Sequence, residues 1–299
     1  MRRGSTWRWI VAAVGAVALL GAACGGGDEA ETPGGGGASQ FPANTTLGKI
    51  QQQGEIVIGV KFDVPPFGFK NPQSGQVEGF DVDLGKHIAD ALGVRPKFVE
   101  AISDNRIPFL KDGTVDLILS TMTITTDRDA EIDFSEPYFI AHGRVLVPKD
   151  SDIQSVEDLA GKTVCTALGS TYEENLKENA PDAELKLVDA YSECLALVQT
   201  DAVDAVSTDD VILTGMIIQD PDLKLVGEEI TTEPYGAGIK DGDAQLKEFV
   251  DQVIADVKAD GRWVDMFDKW VGQYTGQDAE VPTLTLPEAL ELRPCVETC

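Results

Sequence analysis

Between residues 48 and about 275, short apolar runs alternate with amphipathic stretches of helical period, and this alternation restricts the chain to layered α/β architectures. EIVIGV, TVDLILS, RVLVP, KTVCTAL, AVDAVST and LKLVG read as strands, each short, rich in aliphatic residues and bounded by turn formers. In FDVDLGKHIADALG the residues Leu84, Ile88 and Leu92 recur at four, which places them on one helix face. AQLKEFVDQVIADVKADG repeats the pattern with Leu246, Phe249, Val250, Val253, Ile254 and Val257, and Gly261 offers a stop. Ser155 and Asp158 are spaced like a capping box. There is no internal repeat. A chain of 299 residues that is 42% hydrophobic can bury one or two sizeable cores.

The two ends differ from this middle. Arg2, Arg3 and Arg8 flank an apolar run from Trp9 to Ala23 that closes on Gly21-Ala22-Ala23, the plan of a secretory signal over residues 1–23. The run falls short of the roughly 20 residues a spanning helix wants. Cys24 follows at once, as in a bacterial lipobox whose cysteine is acylated, although Gly21 stands where Leu is usual and Leu20 lies one step further out. Residues 24–47 open with a Gly-rich polar stretch that reads as a flexible tether, long enough to hold a domain about 25 Å from its anchor. Residues 276–299 are Pro-rich and irregular and read as a loosely packed tail, or one tied by Cys295 and Cys299.

Charge and cysteines narrow the setting. A net charge of −27 excludes a general nucleic-acid binder, which needs a basic footprint. Cys165, Cys194, Cys295 and Cys299 make an even number, as expected of disulfides in an exported chain, with the pairing open. A metal site has no His or second cysteine pair at suitable spacing, and no metal or cofactor is expected.

The run GFDVDLGKHIADAL, Gly79 to Leu92, resembles the signature of the family 3 solute-binding proteins, the polar amino-acid receptors of ABC importers. DLILSTMTITTDRDAEIDFSEPYF, TVCTALGST, VDAVSTDDVILTG and DGRWVDMFDKWVG follow in that family's order, so the resemblance covers about 225 residues. It implies a two-lobe, type II periplasmic-binding-protein-like fold with two crossover hinge strands. Lobe 1 would hold residues 48–143 plus 237–275 and lobe 2 residues 147–233. Hinges are expected near Gly143–Val147 and Pro234–Gly238, where Gly236 and Gly238 would tolerate the backbone changes of closure. Partners implied are ABC permease subunits and, through Cys24, the outer face of the membrane. A monomer is the expected state.

An α-amino acid presents a carboxylate and an ammonium, and the matched positions supply an answer to each. Arg128 corresponds to the arginine that forks onto the α-carboxylate, with Ser120, Thr121 and Thr123 lining the same pocket. Asp209 corresponds to the acid that takes the α-ammonium, and Gly169, Ser170 and Thr171 form a loop before a helix that can hold the carboxylate. Lys61, Ser103 and Arg106 match positions that meet the ligand side chain, and cations there suit glutamate or aspartate, or the corresponding amides. The histidine that acidic receptors often add in lobe 2 is missing, and Tyr172 lies near that region. TVC…YSEC recurs in glutamate-type relatives with Cys165 and Cys194 paired. The alternative is an enzyme on the same scaffold, similar to cyclohexadienyl dehydratase. It would need an acid/base pair in the cleft, and His87 and His142 are not placed for that.

Overall fold

The computed structural model describes residues 40–293, so the signal segment, Cys24, and Cys295 and Cys299 lie outside the described residues. Two separate sheets organise the chain. The first runs in the order Arg95–Glu100, Glu55–Val60, Leu117–Ile118, Gly238–Ile239, Asp133–Phe134. Its first three strands are parallel, while Gly238–Ile239 returns late in the chain and pairs antiparallel with both neighbours. The second runs Glu184–Val188, Thr163–Ala167, Ala205–Asp209, Phe139–Pro148, Leu223–Val226. A three-stranded meander, Asp63–Val64, Gly68–Lys70 and Val77–Glu78, stands beside the first sheet.

The connection between lobes is a pair of antiparallel strands. Phe139–Pro148 is one continuous strand of 10 residues. Its first half pairs with Thr232–Tyr235, from Phe139 opposite Tyr235 to His142 opposite Thr232, and its second half belongs to the second sheet. RVLVP in the sequence is therefore only the distal part of a crossover strand. FIAH extends it because Phe139 and Ala141 are buried on one side, the alternation of a half-covered strand. Gly236 and Gly238 have ordinary backbone angles rather than the left-handed ones glycine alone favours. Space explains them instead: a Cβ on Gly236 would sit 2.7 Å from Ile124 Cγ1, and one on Gly238 3.1 Å from Leu110 Cδ1.

The amphipathic helices appear where the periodicity put them. Phe80–Leu92 buries Leu84, Ile88 and Leu92, and Ala244–Ala259 buries Leu246, Val250, Val253, Ile254 and Val257, with Phe249 half-buried. The Ser155–Asp158 capping box is formed. Arg95–Glu100 escapes a reading by apolar runs because it is an edge strand with exposed Arg95, Lys97 and Glu100, where Pro96 is tolerated. The expectation of a loose tail is overturned: residues 286–292 form the helix Leu286–Leu292, with a capping box between Thr285 and Glu288 and buried Ala289.

Cys165 and Cys194 form a disulfide that ties strand Thr163–Ala167 to helix Tyr191–Gln199. With a sequence separation of 29, the chain-entropy model gives a stabilisation of roughly 3–4 kcal/mol. Replacing both cysteines by Ala should lower the unfolding free energy by that order, read as a fall in the urea midpoint; an unchanged midpoint refutes it.

Candidate functional site

The candidate residues converge because each follows the C-terminal end of a strand. Lys61 follows Glu55–Val60, Ser103 and Arg106 follow Arg95–Glu100, and Ser120 to Thr123 follow Leu117–Ile118. From the other lobe, Gly169 to Thr171 follow Thr163–Ala167, and Asp209 closes Ala205–Asp209. In open α/β sheets such ends face a crevice where helices begin, so side chains and free N–H groups point to one place.

Ser103, Arg106, Thr121, Thr123, Arg128, Ser170, Thr171 and Asp209 line one small pocket, joined by Tyr172 and Tyr191. Lys61 stands directly behind Ser103, to whose Oγ its Nζ donates at 2.7 Å, and lies 5.7 Å from the centre of the Tyr191 ring. Ser120 is not directed into the pocket: its hydroxyl donates to the Ala101 carbonyl at 2.7 Å. Gly169 acts through its carbonyl, which accepts from Arg106 Nη2 at 3.3 Å and from Arg128 Nη2 at 3.1 Å. One oxygen of lobe 2 thus meets two guanidinium groups of lobe 1. Gly169 has φ of 72°, and a Cβ there would come 2.6 Å from Asp104 Cα, so glycine is required both for the turn and for the approach.

The two arginines divide their work. Arg106 donates to four backbone carbonyls, of Ser103, Ser120, Thr121 and Gly169. A guanidinium has five N–H groups, so little of Arg106 is left for a ligand. Burial first, then the charge of Arg128, bring Arg106 down to about 9, which leaves it charged at neutral pH. Arg128, on the short helix Thr126–Asp129, donates to Thr123 O at 2.7 Å and to Gly169 O. It keeps further N–H donors and lines the pocket. Burial lowers its pKa and Glu233 partly offsets this.

Asp209 is the opposite pole. It stands at the N-cap position of helix Asp210–Gln219, yet its side chain makes no capping bond. Its Oδ1 accepts from Tyr172 Oη at 2.9 Å, and it forms no ion pair among the described residues. Burial, then Glu233, push it up to about 8. Burial without a cation favours the protonated acid, and an ammonium group placed beside it would favour the carboxylate. Lys61 is driven well below its usual range by burial and then by Arg106.

Several contributing residues carried no individual signal in the sequence. Asp81, wholly buried in the signature helix, accepts from the Thr121 N–H at 2.9 Å and from Tyr138 Oη at 2.8 Å. It holds Thr121 at φ of 44°, a conformation unfavourable for a β-branched residue. Burial raises Asp81 to about 7. Tyr191 begins the helix after strand Glu184–Val188, the same strand-end position as the other site residues, which was the available clue. His87 lies half-buried on the outer side of its helix, and His142 pairs with Glu229 at 3.2 Å in the crossover; neither lines the pocket. No group of three or more His, Cys, Asp or Glu among the described residues could hold a metal.

Two lobes on paired crossover strands, with a buried cation and a buried acid facing each other across the cleft, define a type II periplasmic-binding fold. The family profile of bacterial extracellular solute-binding proteins, family 3, matches residues 56–273, and the chain belongs to that family. It is 41% identical over 261 residues to the ABC transporter glutamine-binding protein GlnH of Bacillus subtilis, covering 86% of this chain and 93% of that one. A glutamine-binding protein of Geobacillus stearothermophilus is also 41% identical, over 80% of this chain and 94% of its own. Among solved structures, an ancestral arginine-binding protein bound to glutamine superposes with a TM-score of 0.70 at 39% identity, covering 73% of this chain and 98% of that one.

The raised Asp209 has a consequence for stability. Its folded value of about 8 lies above the ordinary 3.8, so between those values the native state holds a proton that the unfolded chain releases. This contribution is therefore present at low pH and lost as pH rises toward 8. Ligand-free wild type should lose stability relative to Asp209→Asn as pH goes from 5 to 9, and parallel urea-midpoint curves would contradict this.

Proposed function

We propose that this chain is an extracytoplasmic receptor of an ABC importer that closes its lobes on L-glutamine and hands it, unchanged, to permease subunits. The observation that carries the reading is the Arg128–Asp209 pair across the pocket. A fork with donors to spare receives the α-carboxylate, and a buried acid without a cation receives the α-ammonium. The lobes would be residues 48–143 plus 237–275 and residues 147–233, moving about the crossover strands. Anchoring through acylated Cys24 belongs to the same reading, since a tethered receptor stays near its permease.

The choice of the amide over the acid rests on Lys61 and Arg106. Arg106 is occupied by carbonyls, so Lys61, supported by Ser103 and covered by Tyr191, is the cation left for the distal end of the ligand. Burial works against its charge, and a neutral amide meets it without requiring a full counter-charge. The 41% identity to two glutamine-binding proteins supports the same choice.

Calorimetric titration at pH 7.5 should give glutamine at least about tenfold tighter binding than glutamate, and basic amino acids weaker still. Asp209→Asn and Arg128→Lys should each weaken glutamine binding roughly 10- to 100-fold, the scale of a hydrogen bond to a charged group. Mass spectrometry of the recovered ligand should return glutamine intact. Tighter binding of glutamate, or a product of altered mass, refutes the proposal.

A further inference from the structure

The C-terminal arm reaches the binding site, and its last described residue does so with a charge. The arm is seated on lobe 1. Leu284, Leu286, Leu290 and buried Ala289 pack against the cluster containing Ile124, Ile132 and Phe134. The Leu286 N–H donates to Glu136 Oε2 at 2.8 Å. The Thr126 N–H and Oγ1 donate to the Arg293 carbonyl at 3.0 and 3.1 Å, which fixes the arm's end beside the short helix that carries Arg128.

From this seat the Arg293 side chain leaves lobe 1. Its Nη2 donates to Asn175 Oδ1 at 2.6 Å, and its Nη1 lies 3.3 Å from Glu233 Oε1. Asn175 belongs to helix Tyr172–Asn179, whose first residue holds Asp209. Glu233 is completely buried on the second crossover strand, where it also accepts from Thr171 Oγ1 at 3.0 Å, Asn175 Nδ2 at 3.0 Å and Thr231 Oγ1 at 2.7 Å. Thr171 is part of the pocket wall. The arm therefore ties a lobe 1 element to the loop and helix of lobe 2 that close over the pocket. Without Arg293, Glu233 would be a buried carboxylate bonded only to neutral groups, a costly condition.

We propose that Arg293 is a positioning residue for ligand retention: the C-terminal arm is a latch whose ion pair with Glu233 and bond to Asn175 hold the lobes closed and slow ligand release. Contacts that hold the lobes together act mainly on the departure rate, because a bound ligand leaves only after they break. An exposed ion pair would do little, but this one has one wholly buried partner and an arginine only 16% accessible. The ligand readout rests on the glutamine reading above; the shape readout below does not.

The test compares full-length wild type, Arg293→Gln and Arg293→Lys. Stopped-flow tryptophan fluorescence with glutamine should show dissociation about tenfold faster in Arg293→Gln, association no slower than in wild type, and partial recovery in Arg293→Lys. A dissociation rate within twofold of wild type in Arg293→Gln overturns the latch. If that variant does not fold, Asn175→Ala removes one of the two contacts and is judged by the same criterion. If wild type binds no glutamine, the functional reading fails, and small-angle X-ray scattering of the ligand-free proteins decides the latch alone. A larger radius of gyration in Arg293→Gln than in wild type supports it, and equal radii overturn it.

Discussion

The Gly169 carbonyl is the point on which the closed cleft depends. Two guanidinium groups from lobe 1 donate to this one oxygen of lobe 2, so closure supplies an acceptor to arginines that are already withdrawn from water. Burial lowers the affinity of both for their protons, and the charge of Arg128 lowers that of Arg106 further. Backbone carbonyls offset the cost, because a dipole satisfies a donor without contributing a formal charge of its own. Only glycine lets the Gly169 backbone come that close to Asp104.

The same logic arranges the acids. Asp81 and Asp209 are both buried and both pushed upward, yet their surroundings differ. Asp81 accepts from a backbone N–H and a tyrosine and fixes the chain at Thr121. Asp209 has Tyr172 and faces the pocket with no cation bonded to it. Similar burial therefore leaves one a structural brace and the other an acid that faces the pocket. Glu233 stands between these cases, since its donors include Arg293 from the end of the chain.

Rigid supports keep these few groups in register. The disulfide fixes the helix that begins with Tyr191 against the strand that ends at the Gly169 loop. The crossover pair carries Glu233 and Tyr235 beside the pocket, and Tyr235 stacks with Phe139 and meets Phe67 edge to face in an aromatic cluster that also contains Trp263. The chain carries a net charge of −27, so the cations gathered at this pocket are a local exception to its overall field.

Sequence by itself determined the layered α/β architecture, because hydrophobic period reports local structure: Leu84, Ile88 and Leu92 can share a face only on a helix, and EIVIGV can be covered on both faces only as a strand. It also singled out Arg128 and Asp209 as candidates, since both lie in local motifs, STMTITTDR and STDD, and the fold brings both to one pocket. It assigned Arg106 to the ligand side chain, whereas four carbonyls from three separate segments occupy that guanidinium. It took Gly236 and Gly238 for flexible joints, whereas neighbours at contact distance explain them. Only the tertiary structure decided what Arg293, Glu233 and Tyr191 do. Their contacts span from 60 to more than 100 positions of sequence, and no local pattern records which residues folding will bring to one cleft.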